Sequence, residues 1–81
     1  MPAITFEVET WWSPERAGLR ALPDVTVGAA AELVLSGSGR PFERPSFVGS
    51  DGVVMDRSLT LAEAGVKDGD VLELTDVGGA V

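Results

Sequence analysis

The chain has 81 residues, a net charge of −7 and a hydrophobic content of 44%. This length allows one small domain, and the apolar content is too high for an intrinsically disordered chain. The sequence has no Cys, so disulfides and thiolate metal sites are excluded, and we expect no cofactor. The negative charge disfavours nucleic acids and membranes as partners and favours basic surfaces of other proteins.

Catalysis is disfavoured by the residues that the sequence lacks. It contains no His, no Cys and no Tyr, which removes the usual general base, thiol nucleophile and phenol acid. The 13 acidic residues are scattered at turns and at outward strand positions. We therefore expect a binding protein and not an enzyme. No apolar stretch approaches the ~18 residues of a membrane span, and no secretion signal opens the sequence, so we expect a cytoplasmic protein.

The first part of the chain has the pattern of a β-hairpin. Alternating apolar and polar residues predict a half-buried strand over residues 3–10. A weaker alternation over residues 17–21 predicts the returning strand, with a loop over residues 11–16. That loop carries Trp11 and Trp12. A small core does not require two large rings at a hairpin tip, so we expect one to pack and the other to be available to a partner.

The main helix is predicted to begin at Val27, with Thr26 as its N-cap, and to end in the Ser-Gly run of residues 36–39. It is apolar beyond a single stripe. Such a helix either lies deep against a sheet or keeps an exposed surface for a partner or a second copy. Its many Ala residues favour the first interpretation, because Ala exposes little area. The oligomeric state stays open.

The middle of the chain predicts two short strands around a turn. Pro41 and Pro45 indicate an irregular stretch after the helix. A short strand follows at Phe47 and Val48, then a Gly-Ser-Asp-Gly turn, and then a second short strand over residues 53–55.

The last third of the chain has the strongest local signals. Thr60 and Glu63 have the spacing of a capping box, in which each side chain accepts from the other residue's backbone N–H. Gly65 follows at once and suits a left-handed stop, so the helix that they open is one turn long. Gly69 suits a turn with positive φ, and residues 71–74 predict the final strand.

The run Leu-Ala-Glu-Ala-Gly-Val-Lys-Asp-Gly-Asp at residues 61–70 resembles a segment of the bacterial YukD/EsaB-like proteins, which have the ubiquitin-like β-grasp fold. Residues 23–27 and 47–49 extend the resemblance along nearly the whole chain. It implies an α+β domain over residues 1–76, in which a mixed sheet of four to five strands wraps one main helix, with a one-turn helix before the last strand. Residues 77–81 would be a flexible di-glycine tail with a two-residue extension.

The expected core of this fold draws apolar residues from every predicted element except the short strand over residues 53–55. We expect it to contain Ile4, Phe6, Val8, Leu19, Val27, Val34, Phe47, Leu61, Val66, Leu72 and Leu74.

The resemblance also implies a site. In ubiquitin and its relatives the carboxylate of a terminal di-glycine is adenylated and passed to a thiol and then to an amine, or is converted to a thiocarboxylate in sulfur carriers. Gly78 and Gly79 match this motif, and Ala80 follows them. The chain then looks like a precursor that a deubiquitinase-like peptidase cuts after Gly79. Activating and conjugating enzymes would attach it to target proteins, and glycine suits a narrow enzyme channel because it has no Cβ.

The sequence departs from ubiquitin near this tail. Only Thr75, Asp76 and Val77 separate Leu74 from the glycines, about two residues fewer than in ubiquitin, which removes roughly 7 Å of reach. Asp76 and Val77 stand near the position of basic residues in ubiquitin and are partner-binding candidates here. The apolar recognition patch of ubiquitin is not reproduced, because its region carries Ser46 and Thr75.

Two alternatives to a modifier stay open. YukD/EsaB-like proteins are non-conjugated accessory components of type VII secretion, which act by binding. Sulfur carriers of molybdopterin and thiamine synthesis have a similar tail length, but they usually end at the second glycine. Lys67 is the only lysine in the sequence, so any self-conjugation is expected to use Lys67 or the N-terminal amine.

Overall fold

A computed structural model describes residues 2–36 and 38–77 of the chain. Within these residues it contains four strands and one helix, which are β1 (Ile4–Thr10), β2 (Ser13–Ala21), α1 (Val27–Leu35), β3 (Pro45–Val48) and β4 (Val71–Asp76). The strands form one sheet in the order β2-β1-β4-β3. β1 is antiparallel to β2 and parallel to β4, and β3 is antiparallel to β4. The predicted mixed sheet with one main helix is confirmed.

The core lies between the sheet and the helix. Phe6 and Phe47 meet edge to face in it, with ring centroids 5.8 Å apart. Its buried members are Phe6, Val8, Ala21, Val27, Ala30, Ala31, Phe47, Leu61, Val66, Leu72 and Leu74. The predicted core residues Ile4, Leu19 and Val34 instead lie partly buried at its margin. The helix contributes Ala30 and Ala31 to this core, and their small side chains let the helix approach the sheet closely.

The helix lies deep along one face, as its Ala content indicates. Thr26 caps it, and its hydroxyl accepts from the backbone N–H of Ala29 at 3.2 Å. Val27 and the three small residues Gly28, Ala30 and Ala31 are buried. Leu33 is 54% exposed on the opposite side.

The hairpin loop predicted over residues 11–16 is wrong, because β2 begins at Ser13 and only Trp11 and Trp12 connect the strands. The polar run that predicted the loop includes Pro14. Since β2 lies at the edge of the sheet, its solvated side tolerates both polar residues and a Pro without an N–H.

The region around β3 differs from the prediction in two ways. Residues 53–55 do not form a strand, because Val54 makes only an isolated pairing with Val48. Ser46, expected on an exposed recognition face, is fully buried, and its hydroxyl donates to the carbonyl of Met55 at 2.7 Å. Met55 also donates its N–H to the carbonyl of Phe47 at 2.8 Å. The segment is therefore tied to β3 without extending the sheet.

The capping box in the last third is present as predicted. The N–H of Thr60 donates to the Glu63 carboxylate at 2.9 Å, and the N–H of Glu63 donates to the Thr60 hydroxyl at 3.1 Å. The N–H of Ala64 reaches the carbonyl of Thr60 at 2.9 Å, and Gly65 follows with φ of 83°. The expected one-turn helix is thus a single hydrogen-bonded turn.

A second turn, over residues 67–70, attaches the start of β4 to β1. The carboxylate of Asp68 accepts from the N–H of Thr5 at 2.7 Å, and the N–H of Gly69 donates to the carbonyl of Thr5 at 2.9 Å. Gly69 has φ of 85°, the region that residues with a Cβ rarely adopt. The carbonyl of Asp70 then accepts from the N–H of Glu7 at 2.9 Å. These bonds set the register of the parallel pair.

The turn before the capping box presents Arg57 to the helix. The Asp56 carboxylate accepts hydrogen bonds from the backbone N–H and from the hydroxyl of Ser58. These bonds, the backbone bond first, hold the pKa of Asp56 below its usual value of 3.8. The carbonyl of Leu59 accepts from the N–H of Val27 at 2.8 Å, so the turn also touches the helix start.

Arg57 connects the helix to β3. Its Nε donates to the buried Pro45 carbonyl at 2.7 Å, and its Nη2 lies 2.8 Å from the Glu32 carboxylate. The guanidinium lies directly over Gly28, where an added Cβ would approach it to 3.0 Å. A side chain at position 28 would therefore displace Arg57.

We expect Arg57→Ala to lower the free energy of unfolding by about 1.5–3 kcal/mol, because the Pro45 carbonyl loses a charged donor. Urea denaturation measures the change. Glu32→Gln is the matched control: that side chain is 65% exposed, and the ion pair should contribute less than about 1 kcal/mol. Equal losses in both variants would show that the ion pair, and not the bond to Pro45, stabilises the contact.

Candidate functional site

The hairpin tip carries an aromatic cluster, defined by Trp11, Trp12 and Phe42. The Trp11 and Trp12 rings meet edge to face, with centroids 5.1 Å apart. Trp11 also stacks on Phe42, at 5.1 Å and an interplanar angle of 27°. The guanidinium of Arg40 lies 4.8 Å from the Trp12 ring centroid, within the range of a cation–π interaction. The tip is therefore held against the loop that follows the helix.

The two tryptophans differ in exposure. Trp12 is partly buried and packs against the core, whereas Trp11 is 64% exposed. This is the division expected for one packed and one accessible ring, and binding of a partner at Trp11 stays a prediction. Phe42 and Arg40 are not among the residues predicted from the sequence to form a site. Phe42 stands out in the sequence as a lone aromatic residue in a polar, Pro-containing stretch. Nothing in the sequence, however, indicates that this stretch contacts the hairpin.

The end of β4 is anchored more firmly than expected. The Asp76 carboxylate accepts from the N–H of Glu43 at 3.2 Å and from the N–H of Arg44 at 3.0 Å. The N–H of Val77 donates to the carbonyl of Arg44 at 3.0 Å. The loop before β3 therefore continues the antiparallel pairing as far as Val77, the first residue of the segment predicted to be a flexible tail.

The remaining candidate residues fall into two groups. Lys67 is exposed and lies in the turn before β4, where its backbone N–H donates to the Asp70 carboxylate at 2.9 Å. Gly78, Gly79 and Ala80, the expected processing and conjugation site, lie outside the described residues.

Among residues 2–36 and 38–77, no group of His, Cys, Asp and Glu side chains is arranged to hold a metal ion. The single described helix is too short to cross a bilayer.

No protein-family model and no curated protein matches this chain. Solved structures do. The ubiquitin of Caldiarchaeum subterraneum is 25% identical, with a TM-score of 0.77 over 95% of this chain and 99% of that chain. The ubiquitin-like domain of yeast Ddi1 is 15% identical, with a TM-score of 0.73 over 100% of this chain and 96% of that chain. The fold is the ubiquitin-like β-grasp.

The same fold occurs inside a larger protein. One chain of the MycP5-free ESX-5 inner membrane complex is 17% identical, with a TM-score of 0.72 over 95% of this chain and 21% of that chain. The predicted β-grasp architecture is confirmed, and this chain is a ubiquitin-like protein or domain.

The exposure of the two tryptophans predicts different effects of their removal. Trp12→Ala should lower the free energy of unfolding by about 2–4 kcal/mol, because it leaves a cavity at the core margin. Trp11→Ala should lower the free energy of unfolding by less than about 1.5 kcal/mol, because it removes only the stacking on Phe42. It should weaken partner binding by about 2 kcal/mol or more. Urea denaturation and calorimetric titration separate the two effects, and equal unfolding by both variants would show that the pair belongs to the core.

Proposed function

We propose that this protein is a bacterial ubiquitin-like modifier of the cytoplasm, processed after Gly79 and attached to target proteins through that glycine. The supporting observation is the position of the di-glycine on a ubiquitin-like β-grasp domain. Val77, the last described residue, bonds to Arg44, and Gly78 is the next residue in the chain. The first glycine of the motif therefore directly follows Val77, a residue that is hydrogen-bonded to the domain.

The proposed chemistry needs no catalytic group from this chain. A partner peptidase hydrolyses the bond between Gly79 and Ala80, which leaves a carboxylate on Gly79. An activating enzyme joins this carboxylate to the α-phosphate of ATP, and pyrophosphate leaves. An enzyme thiol then displaces AMP, and a target amine displaces the thiol to form the final amide. The folded domain serves as the surface by which these enzymes recognise the tail.

The anchored end of β4 supports a proposal for where those enzymes bind. Because Val77 is still bonded to the domain, an enzyme that reaches Gly79 approaches the loop of residues 43–44 closely. Glu43, Arg44 and Asp76 are exposed there. We therefore place the recognition surface of the activating enzyme at this loop together with Asp76 and Val77.

The tail is tested by Gly79→Ala in the full chain. With the cognate peptidase and activating enzyme, we expect wild type to lose the residues from Ala80 onward and to form conjugates. Gly79→Ala should conjugate about 100-fold more slowly, because a Cβ displaces the reacting carbonyl. Mass spectrometry and gel assays measure both steps.

Gly18→Ala is the matched control, since nothing lies within 4 Å of a Cβ added at that position. An uncut wild-type chain, or unchanged activity of Gly79→Ala, would contradict the modifier function. A thiocarboxylate on Gly79 would identify a sulfur carrier instead.

The single lysine predicts the linkage of any chains. Self-conjugation should occur at Lys67 or at the N-terminal amine, and Lys67→Arg should remove every branched peptide at position 67 while leaving folding unchanged. Tryptic mass spectrometry reads the linkage directly. A branch at any third position would contradict this prediction.

A second candidate is a non-conjugated accessory protein of the YukD/EsaB-like kind, which acts in type VII secretion by binding alone. The observation that favours it is the occurrence of the same fold in a chain of the ESX-5 inner membrane complex. Such a protein would not need its glycines. If a chain truncated after Val77 supported type VII secretion as well as the full chain does, that result would favour this candidate over the modifier.

A further inference from the structure

The open face of the sheet brings two carboxylates together on its central strands. Glu9 of β1 and Glu73 of β4 are Cα partners in the parallel register, and both side chains are exposed. Like charges placed side by side on adjacent strands are unfavourable. Arg16 lies 3.4 Å from Glu9 but also 3.7 Å from Glu7, so one cation serves both. No basic side chain among residues 2–36 and 38–77 forms an ion pair with Glu73.

These carboxylates border a depression beside the exposed tryptophan. It has a volume of about 420 Å³, and Trp11, Val48, Thr75, Glu9 and Glu73 are among its lining residues. We call this region the Trp11 surface.

The Trp11 ring is already held in place by Phe42 and Trp12. A ligand that contacts it would therefore lose little binding energy to side-chain ordering. A large, fixed and exposed aromatic ring is a feature of binding hot spots.

We propose that the Trp11 surface binds an arginine-bearing basic segment of a partner protein. The guanidinium would lie between Glu9 and Glu73, and its alkyl stem would cover Trp11 and Val48. Three features of the surface select this occupant: paired carboxylates, an adjacent aromatic face, and a protein of net charge −7. Guanidinium combines a planar fork for carboxylates with stacking on aromatic rings, whereas ammonium is a compact point charge.

The inference goes beyond the proposed function, because it does not depend on the tail. It also explains a local conflict. The central strands of a small sheet keep two neighbouring acidic side chains, an arrangement that costs stability in the free protein. Conflicts of this kind are expected at functional positions. A bound guanidinium would attract both carboxylates and so offset the repulsion between them.

The test uses the full isotope-labelled chain and a short synthetic peptide with two arginines separated by glycine. A peptide with citrulline in place of arginine has the same shape without the charge. We expect the arginine peptide to shift the NMR signals of the Trp11 indole and of the Glu9, Glu73 and Thr75 amides. The citrulline peptide should shift none of them.

Variants assign the contacts. Glu73→Gln and Trp11→Ala should each weaken binding of the arginine peptide about three- to tenfold. Glu15→Gln changes the net charge equally but lies on the edge strand outside the depression, so it should leave binding within about twofold. In the free protein, Glu73→Gln should raise Tm by about 1–5 °C, since it removes the repulsion from Glu9.

Three outcomes would overturn the proposal. One is equal binding of the two peptides, which would show that charge is not recognised. Another is an equal loss for Glu15→Gln and Glu73→Gln, which would show general attraction to an acidic protein. The third is a concentration-dependent shift at Trp11 without peptide, which would show that a second copy occupies the surface. No activating enzyme is present in these assays, so their outcome is independent of the tail.

Discussion

The parallel pairing of β1 with β4 is the constraint on which the rest of the structure depends. These strands lie at the centre of the sheet and come from opposite ends of the chain. No hairpin can align them, so the turn over residues 67–70 does so by direct bonds. Asp68 and Gly69 bind both backbone groups of Thr5, and Asp70 accepts from Glu7. The buried side chains of both strands then face the helix together, which is the condition for one shared core.

The start of the helix is held by the same part of the chain. The N–H of Leu61 donates to the carbonyl of Val25 at 2.8 Å, and Thr26 pairs with Thr60. Arg57 adds the link from the helix to β3. Residues 57–61 therefore join the helix to the sheet edge, and the Thr60–Glu63 capping box, which begins within them, gives this stretch a defined shape. The turns in the last third of the chain thus make hydrogen bonds both to the helix and to the sheet.

The two proposed functional surfaces lie where this framework leaves polar or aromatic groups exposed. At the hairpin tip, a short connection brings Trp11 onto Phe42 and leaves most of its surface in solvent. At the end of β4, the exposed Asp76 accepts hydrogen bonds from the loop of residues 43–44. The two surfaces use different residues and different chemistry. We propose that the first recognises a partner and that the second is contacted by the enzymes that act on the tail.

The sequence by itself determined the elements that depend on local chemistry. The alternation of β1, the Thr26 cap, the Thr60–Glu63 capping box and the positive φ of Gly65 follow from side chains a few residues apart. These interactions form within one turn or strand, so their pattern is visible without the fold. Together with the resemblance, they were sufficient to predict the β-grasp.

Only the tertiary structure decided the features that join distant segments. The polar start of β2 is a strand because it lies at an edge, and Ser46 is buried because it bonds to Met55. Pairing of parallel strands placed Glu73 beside Glu9, although the two are far apart in sequence. Strand register and side-chain contacts across loops depend on the packing of the whole core, and no short sequence pattern encodes them. For that physical reason the candidate residue Trp11 was visible in the sequence, whereas the surface around it was not.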